Sequence, residues 1–299
     1  MLVLLLTGTW LLTGVLVAKA DPFAIAAGRA GTSFIGLAAL AAARPATRRS
    51  SLDVLRERPG AATVLGALGV FGYSTASVLA IALVGTATTN VILSLLPCAV
   101  FLLGGALFRQ WPGRTALVGT TLAVGGALAY GALDSQGGLG TRGHTTTDRI
   151  VLGILLALAS VGCMALYAHY YNRLVGDSSS IVALPAVFGA GTAMLLVPAF
   201  SLGSLPQVSA SAWGVLLLLG CGIYVPTYII QHELLRLRGP LFTTSASLVV
   251  PFLVRLCTWA LGRAVAPSPL VLALLAVCCI GVRLTLVPSD SSQPYPQAR

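Results

Sequence analysis

The sequence predicts an all-α integral membrane protein, with ten transmembrane helices arranged as two inverted five-helix repeats around a central cavity. Two observations lead to this prediction. Hydrophobic residues make up 57% of the 299-residue chain and charged residues only 9%, whereas a soluble domain carries roughly 25% charged residues. In addition, a pattern of residues in the first half recurs in the second half. A lipid environment accounts for the composition, and a duplicated helical unit accounts for the recurrence.

The recurrence is clearest in two apolar stretches, residues 88–109 and 242–263. Each contains one proline near its middle, and Pro251 follows Pro97 by 154 residues. The arginines that end the two stretches are separated by the same interval. A repeat of this length is too long for a solenoid unit. It is typical of duplicated membrane proteins, in which the binding site lies between the two repeats.

Ten apolar stretches are close to the roughly 20 residues that a helix needs to cross a bilayer. In chain order they are 2–19, 22–43, 61–83, 87–108, 115–133, 150–171, 181–201, 211–231, 239–262 and 267–287. Grouped by the repeat, they give a first five-helix repeat at 1–133 and a second at 150–287. The glycine-rich segment 134–149 is predicted to be an outer linker. The polar segment 288–299 is predicted to be a disordered cytoplasmic tail.

The distribution of basic residues predicts that both termini lie in the cytoplasm. Cytoplasmic connections of multi-pass proteins carry an excess of Arg and Lys. With the N-terminus inside, the cytoplasmic connections contain twelve of the eighteen basic residues and the outer connections contain four. Because each half has five helices, an odd number, the second half then has the inverted orientation. We expect the protein in the cytoplasmic (inner) membrane.

The net charge of +10 has two interpretations, a nucleic-acid-binding surface or the basic cytoplasmic rim of a membrane protein. No basic cluster is interleaved with aromatic residues on a soluble module, so we expect the lipid bilayer as the partner and no nucleic acid. The six cysteines lie in apolar stretches without a Cys-x-x-Cys pair, which favours small buried side chains over a disulfide frame or a metal site. No metal, cofactor or catalytic residue is predicted.

The fourth and ninth spans are predicted to line the cavity, because each contains a proline. A proline within a helix frees one backbone carbonyl, which is tolerable in a membrane only against protein or water. Residues spaced by three or four share a helix face with each proline. In the fourth span these are Asn90 and Ser94 with Pro97, and in the ninth they are Ser247, Arg255 and Trp259 with Pro251. The alternative is plain helix packing.

Aromatic residues near the middle of other spans are further candidates for contact with a substrate. A buried tyrosine requires a hydrogen-bond partner for its hydroxyl. The candidates are Trp10, Tyr73, Tyr167, Tyr224 and Tyr228. Tyr228 has the alternative of an interfacial position near the inner surface, where aromatic residues are enriched.

Arg255 is the predicted anion-binding residue. An arginine this deep in a span costs about 2.5–3.5 kcal/mol on insertion scales, and no acidic residue lies mid-span to pair with it. Its planar fork can hold a carboxylate or phosphate with two hydrogen bonds. Hydrogen bonds to carbonyls near Pro97 or Pro251 are the alternative. Arg29, near the outer end of the second span, is expected to pair with Asp21 or to extend outward, and a direct role in binding is its minor alternative.

Six short motifs carry a resemblance to a known family. In the first half they are Ala27-Gly28-Arg29, Leu93-Ser94-Leu95-Leu96-Pro97 and the stretch from Gly119 to Gly126. In the second half they are Ala159-Ser160 with Ala165-Leu166-Tyr167, Leu248-Val249-Val250-Pro251 and Ile280-Gly281. In their order and spacing these motifs resemble the EamA-type branch of the drug/metabolite transporter superfamily, over about residues 1–287. The resemblance implies a ten-helix inverted-repeat carrier whose substrate crosses through a central cavity.

The sequence departs from the family's pattern at the ends of the fourth and ninth spans. Family members often carry a Glu just after each of these helices, whereas this chain has Phe108-Arg109-Gln110 and Gly262-Arg263. None of the eight acidic residues lies mid-span. A proton relay through a membrane carboxylate therefore has no candidate, and a cationic substrate would lack a counter-charge.

The resemblance and the missing acidic residues together predict a secondary transporter, and the family's commoner direction is export. We expect a small organic metabolite that is neutral, zwitterionic or anionic, such as an amino-acid-like molecule, to cross by alternating access. One alternative is a subunit that translocates lipid phosphates or a partner subunit that transports nothing. Another is an integral-membrane enzyme, which is disfavoured because no cluster of His, Asp, Glu or Cys lies at a membrane face.

Overall fold

The computed structural model describes residues 1–17, 20–109, 113–136, 147–175, 178–262 and 266–285. Within these ranges all regular structure is helical. The first six helices are α1 (Leu2–Val17), α2 (Pro22–Ala42), α3 (Pro45–Glu57), α4 (Pro59–Gly85), α5 (86–108) and α6 (Arg114–Gln136). The other five are α7 (Thr147–Val175), α8 (Ser180–Ser201), α9 (210–238), α10 (240–260) and α11 (Pro269–Leu284).

Several helix starts follow directly from the sequence. Proline occupies the first turn of α2, α3, α4 and α11, where its missing N–H costs no hydrogen bond. The carboxylate of Asp21 caps α2 by accepting from the backbone N–H of Phe23 at 2.9 Å. Ser268 caps α11 in the same way, accepting from the N–H of Val271.

Two glycines break the helical path at equivalent places in the two halves. Gly85 ends α4 with φ 80° and ψ 165°, and Gly239 separates α9 from α10 with φ 81° and ψ 172°. This backbone region is accessible essentially to glycine alone. The interval between these glycines is the same as that between Pro97 and Pro251. Each proline lies in the first turn of the second part of its helix, Leu96–Phe108 in α5 and Val250–Ala260 in α10. A π-helical segment also precedes each break, at Gly66–Gly72 in α4 and Leu218–Tyr224 in α9.

Five helical segments are long and apolar enough to cross a membrane. They are Pro22–Ala42, Pro59–Gly85, Thr147–Val175, Ser180–Ser201 and Ala210–Ala260, the last of which contains the break at Gly239. Shorter apolar helices are Leu2–Thr13, Leu96–Leu107 and Pro269–Leu284. Large apolar side chains such as Leu155, Val197 and Leu218 are exposed, as expected for helices that face lipid rather than water.

The helices approach one another closely where glycines face each other. A Cβ added to Gly119 in α6 would lie 2.6 Å from the carbonyl oxygen of Gly281 in α11. A Cβ on Gly66 in α4 would lie 2.7 Å from the backbone nitrogen of Gly191 in α8. Helices in lipid associate through such close packing of small residues, and the result is one packed bundle rather than separate anchors.

The structure changes some of the predicted boundaries. The basic connection between the second and third predicted spans contains a helix, α3. The predicted eighth span ended at 231, but α9 continues until Gly239. Helices α6 and α7 enter the predicted linker at its two ends, reaching Gln136 and beginning at Thr147. The rest of that linker and the tail at 288–299 lie outside the described residues.

Candidate functional site

A central cavity of about 170 Å³ lies between the helices. Its lining comes from both halves of the chain: from α1, α2, α4 and α5 in the first, and from α7, α8, α9 and α10 in the second. Polar and aromatic side chains are interspersed with apolar ones along its walls. A cavity lined mainly by apolar and aromatic groups, with a few convergent polar groups, is the usual form of a small-molecule site.

The structure brings most of the predicted site residues to this cavity. Those that line it are Trp10, Tyr73, Asn90, Ser94, Tyr167, Tyr224 and Tyr228, together with Pro251 of the two prolines. These residues come from six different helices and converge without being close in sequence. Tyr228, which had the alternative of an interfacial position, is therefore part of the cavity wall.

Arg255 and Trp259 are not among the residues that line the cavity, and neither is Pro97. The lining of α10 ends at Pro251. Because an α-helix rises about 6 Å over four residues, Arg255 and Trp259 share a face with Pro251 but lie one and two turns beyond the cavity. Trp259 is 47% exposed. The expectation that Arg255 faces the cavity is thus not met by its position.

Arg29 of α2 lies at the cavity instead, without the predicted pairing to Asp21, which caps its own helix. One terminal nitrogen of Arg29, Nη1, donates to the hydroxyl of Tyr224 at 3.0 Å, and the other, Nη2, donates to Ser74 Oγ at 2.9 Å. The guanidinium carbon also lies 5.2 Å from the centre of the Tyr224 ring, within range of a cation–π interaction. These contacts hold the guanidinium in one orientation.

Helix α2 presents this arginine to the interior because small residues surround it. A Cβ on Gly28 would come within 2.8 Å of Leu216, and one on Gly31 would contact Thr192. The α2 helix therefore packs tightly against α9 on one side and α8 on the other. An arginine enclosed in this way cannot extend along a lipid-facing surface to the interface.

A ladder of aromatic rings lines one wall of the cavity, at intervals of four residues along α9. Tyr224 and Tyr228 are stacked, with ring centres 5.1 Å apart and planes 18° apart. The ring centre of Tyr228 also lies 4.5 Å from that of Phe188 in α8 and 6.2 Å from that of His232. The ladder forms a flat apolar surface that begins beside the guanidinium of Arg29.

His232 is a buried histidine that the sequence did not single out. It is 2% exposed and lines the cavity. Its Nδ1 lies 2.6 Å from the backbone carbonyl of Tyr228, and its Nε2 is hydrogen-bonded to the hydroxyl of Tyr167. Because a carbonyl can only accept, Nδ1 carries the proton, and in the neutral ring Nε2 accepts from Tyr167. The pair joins α7 to α9 at the cavity wall. The spacing of His232 four residues after Tyr228 was the signal that could have identified it.

The charges at the cavity are one-sided. Among the described residues that line it, Arg29 is the one with a formal charge and none is acidic. Glu233, the acidic residue predicted to lie nearest the membrane interior, does not line the cavity. It accepts from the backbone N–H and hydroxyl of Ser180 at 3.1 and 2.9 Å and pairs with Arg236 at 2.8 Å. It therefore ties α9 to the start of α8.

The first half of the chain carries a recognisable family signature. Residues 1–131 match the EamA-like transporter family, and this segment includes the arginine at the cavity. Together with the helical segments that are long and apolar enough to cross a membrane, this match supports a multi-pass membrane protein.

The likeness of fold extends beyond the EamA-like segment. The crystal structure of another protein has a TM-score of 0.72 with this structure, at 22% sequence identity, and the similarity covers 95% of this chain and 94% of that chain. At this identity the similarity shows a shared fold and nothing further. No curated protein matches the chain.

Proposed function

We propose that this EamA-like protein is a secondary transporter that moves a small organic metabolite by alternating access through the central cavity. The proposal includes the finer architecture: ten transmembrane helices in two inverted repeats, with both termini in the cytoplasm. The observation that carries it is the position of the cavity, which is lined by helices of both halves and combines aromatic surfaces with a few polar groups. Sites between two repeats are typical of transporters that work by rocking one unit against the other.

The repeated breaks in the backbone support the two-repeat arrangement. Gly85 and Gly239 interrupt the helices at the same interval that separates Pro97 from Pro251. The segment that follows each glycine lines the cavity, through Asn90 and Ser94 in α5 and through Ser247 to Pro251 in α10. Discontinuous helices at equivalent positions of two halves are a frequent feature of transporter binding sites.

The charge of the cavity limits the substrate. With Arg29 as the charged residue among the described lining side chains, a cation would meet repulsion without a counter-charge. The substrate class that fits is neutral, zwitterionic or anionic. The cavity is also smaller than the roughly 300–1,000 Å³ of pockets for drug-sized ligands, which favours a small metabolite. Export is the proposed direction, on the strength of the family resemblance.

Reconstitution into liposomes tests the proposal. Purified protein is incorporated, the vesicles are loaded with a panel of isotopically labelled metabolites, and loss of label is measured against protein-free vesicles. We expect saturable, protein-dependent movement of at least one neutral, zwitterionic or anionic member. Movement of cationic members alone would contradict the proposal, and so would the absence of movement for every class.

Labelling with impermeant thiol reagents tests the topology separately. In a cysteine-free background, a cysteine at position 144 is expected to react from outside the cell. Reaction of this variant from the cytoplasmic side alone would contradict the predicted orientation.

A further inference from the structure

Arg29 carries a half-buried charge at the cavity, and its hydrogen-bond partners in the protein are neutral. Its two hydrogen bonds go to the hydroxyls of Tyr224 and Ser74, and the acidic side chains of the described residues do not line its cavity. A charge taken out of water without an opposite charge costs several kcal/mol. A ligand that brings a negative charge into the cavity would compensate this cost when it binds.

We propose that the cavity binds a small organic monoanion, whose carboxylate is held by Arg29, in preference to the zwitterion and the cation of the same shape. The inference rests on the proposed function, because it assigns the substrate class of the same transport cavity. It goes further in excluding an ammonium group from the preferred substrate and in assigning the anchoring role to α2 rather than to α10.

The hydrogen bonds of Arg29 leave its fork available to a ligand. A guanidinium has five N–H donors, and among the described residues Tyr224 and Ser74 each accept one, from different terminal nitrogens. Both terminal nitrogens are therefore fixed in place, while three donors remain. A carboxylate accepts such donors with two parallel hydrogen bonds. Since the guanidinium is already oriented, little additional order is lost when the carboxylate binds.

The rest of the cavity fits a flat apolar body and, among its described lining residues, offers an ammonium group no acidic side chain. The stacked pair Tyr224 and Tyr228 starts beside Arg29 and forms one wall, and Trp10 and Tyr73 contribute further aromatic surface. An ammonium group placed near the carboxylate would lie within a few ångströms of the guanidinium, where like charges repel. The same group farther away would find neutral side chains among the described lining residues.

A matched series of small probes separates the contributions of the carboxylate, the amine and the apolar group to binding affinity. The aromatic probes are 3-phenylpropanoate, its neutral amide 3-phenylpropanamide, the zwitterion phenylalanine and the cation 2-phenylethylamine. An aliphatic pair, 4-methylpentanoate and its amide, controls for the shape of the body. Binding to the purified full-length protein is measured by isothermal titration calorimetry at pH 7.

At least one carboxylate is expected to bind roughly tenfold or more tightly than its amide, because hydrogen bonds to a charged group are the stronger kind. Phenylalanine is expected to bind more weakly than 3-phenylpropanoate, and 2-phenylethylamine most weakly of the aromatic series. If neither carboxylate exceeds its amide by tenfold, or if phenylalanine binds as tightly as 3-phenylpropanoate, the proposal is overturned.

Two variants of Arg29 locate the effect, with Arg255→Gln as the matched control. Arg29→Gln keeps donors and removes the charge, so the advantage of carboxylate over amide should disappear while the affinity for the amide stays within about twofold. Arg29→Lys keeps the charge and removes the fork, so part of the advantage should remain. Arg255→Gln should retain all of it. An unchanged carboxylate preference in Arg29→Gln, or in Arg29→Lys if the glutamine variant does not fold, overturns the assignment to Arg29.

Flux measurements distinguish failure of this inference from failure of the proposed function. Carboxylate-selective binding that depends on Arg29, without movement of labelled 3-phenylpropanoate or of the metabolite panel across liposomes, would refute transport and leave the binding site in place. Transport of a metabolite by wild type and Arg29→Gln at equal rates, without carboxylate preference in binding, would overturn the inference and leave transport in place.

Discussion

Arg29 and Arg255 both lie within predicted apolar spans, and the structure gives them different surroundings. Arg29 lines the central cavity with its guanidinium bonded to Tyr224 and Ser74. Arg255 lies half-buried one turn beyond the cavity on α10. From the sequence, Arg255 was the predicted anion-binding residue because of its depth in the span. Arg29 was placed near the outer end of its helix, with binding only as a minor alternative.

The difference shows that depth along a span is a weaker guide than the size of the neighbouring residues. Around Arg29 the chain reads Ala26-Ala27-Gly28-Arg29-Ala30-Gly31, and the glycines allow α8 and α9 to pack close to α2. Around Arg255 the neighbours are Val254, Leu256 and Cys257, which do not permit such close packing. The glycines beside Arg29 thus allow neighbouring helices to come close to α2, whereas the residues beside Arg255 carry larger side chains.

The largest effect is expected from Arg29→Lys compared with Arg255→Lys. A lysine at position 29 keeps the charge but cannot bond Tyr224 and Ser74 from two terminal nitrogens at once. We expect transport of a carboxylate substrate in liposomes to fall roughly fivefold, because the retained charge preserves part of the binding while a charge-assisted hydrogen bond of the fork is lost. Arg255→Lys should stay within about twofold at matched protein content. Equal losses in both variants would contradict the contrast between the two arginines.

The sequence contained enough information to predict a helical membrane protein and several of the residues at the cavity. Membrane composition and the 154-residue interval predicted apolar helices and two kinked segments, because these features depend on composition and on local backbone chemistry. Aromatic residues such as Tyr224 and Tyr167 could be predicted from their position near the middle of a span. The local reasoning required no knowledge of which helices are neighbours.

The bonds that define the site could not be predicted, because they connect residues far apart in sequence. Arg29 bonds Tyr224 across 195 residues, and Tyr167 meets His232 across 65. The position of Arg255 relative to the cavity could not be predicted for a related reason. Periodicity gives the face of the helix on which a residue lies, but not where along that face the cavity ends. The end of the cavity depends on the path of α10 after Gly239 and Pro251, which is a property of packing.

A second comparison concerns the two glycines that set the path of these helices. Both Gly85 and Gly239 adopt positive φ near 80° with extended ψ, so alanine at either position should cost about 1–3 kcal/mol. We expect Gly85→Ala and Gly239→Ala to lower thermal stability in detergent by similar amounts. Glycine-to-alanine at Gly125, where an added Cβ meets nothing within 4 Å, provides the control. A large loss in one variant with none in the other would show that the two breaks are not equivalent.

A smaller effect is expected from Tyr224→Phe. This change removes one hydrogen-bond acceptor of Arg29 and preserves the stacked ring against Tyr228. A single hydrogen bond contributes about 0.5–1.5 kcal/mol net, which corresponds to an affinity roughly 2- to 10-fold weaker for a carboxylate probe. Isothermal titration calorimetry with 3-phenylpropanoate measures this loss of affinity. Ser74→Ala should have a similar effect, and the absence of any loss in both variants would mean that neither hydroxyl orients the guanidinium.

The smallest effect is expected from Thr258→Ala, which changes the surroundings of Arg255 alone. The hydroxyl of Thr258 donates to the backbone carbonyl of Arg255 at 2.8 Å. This bond lies within one turn of α10 and competes with the helix's own hydrogen bonding rather than holding the arginine side chain. Alanine also has the higher helix propensity, by at most about 0.7 kcal/mol. Removal of the Thr258 hydroxyl should therefore leave thermal stability nearly unchanged and change the transport rate by no more than about twofold.

The value of Thr258→Ala lies in what a larger effect would mean. If α10 beyond Pro251 is a supporting element, loss of a bond that lies one helical turn past the cavity cannot reach the substrate. A drop in transport of fivefold or more, at unchanged thermal stability, would place this face of α10 on the substrate's path. The two arginines would then act at successive points of one route, Arg29 in the cavity and Arg255 nearer its exit. Both arginines would then bind the substrate, and they would differ only in the order in which it reaches them.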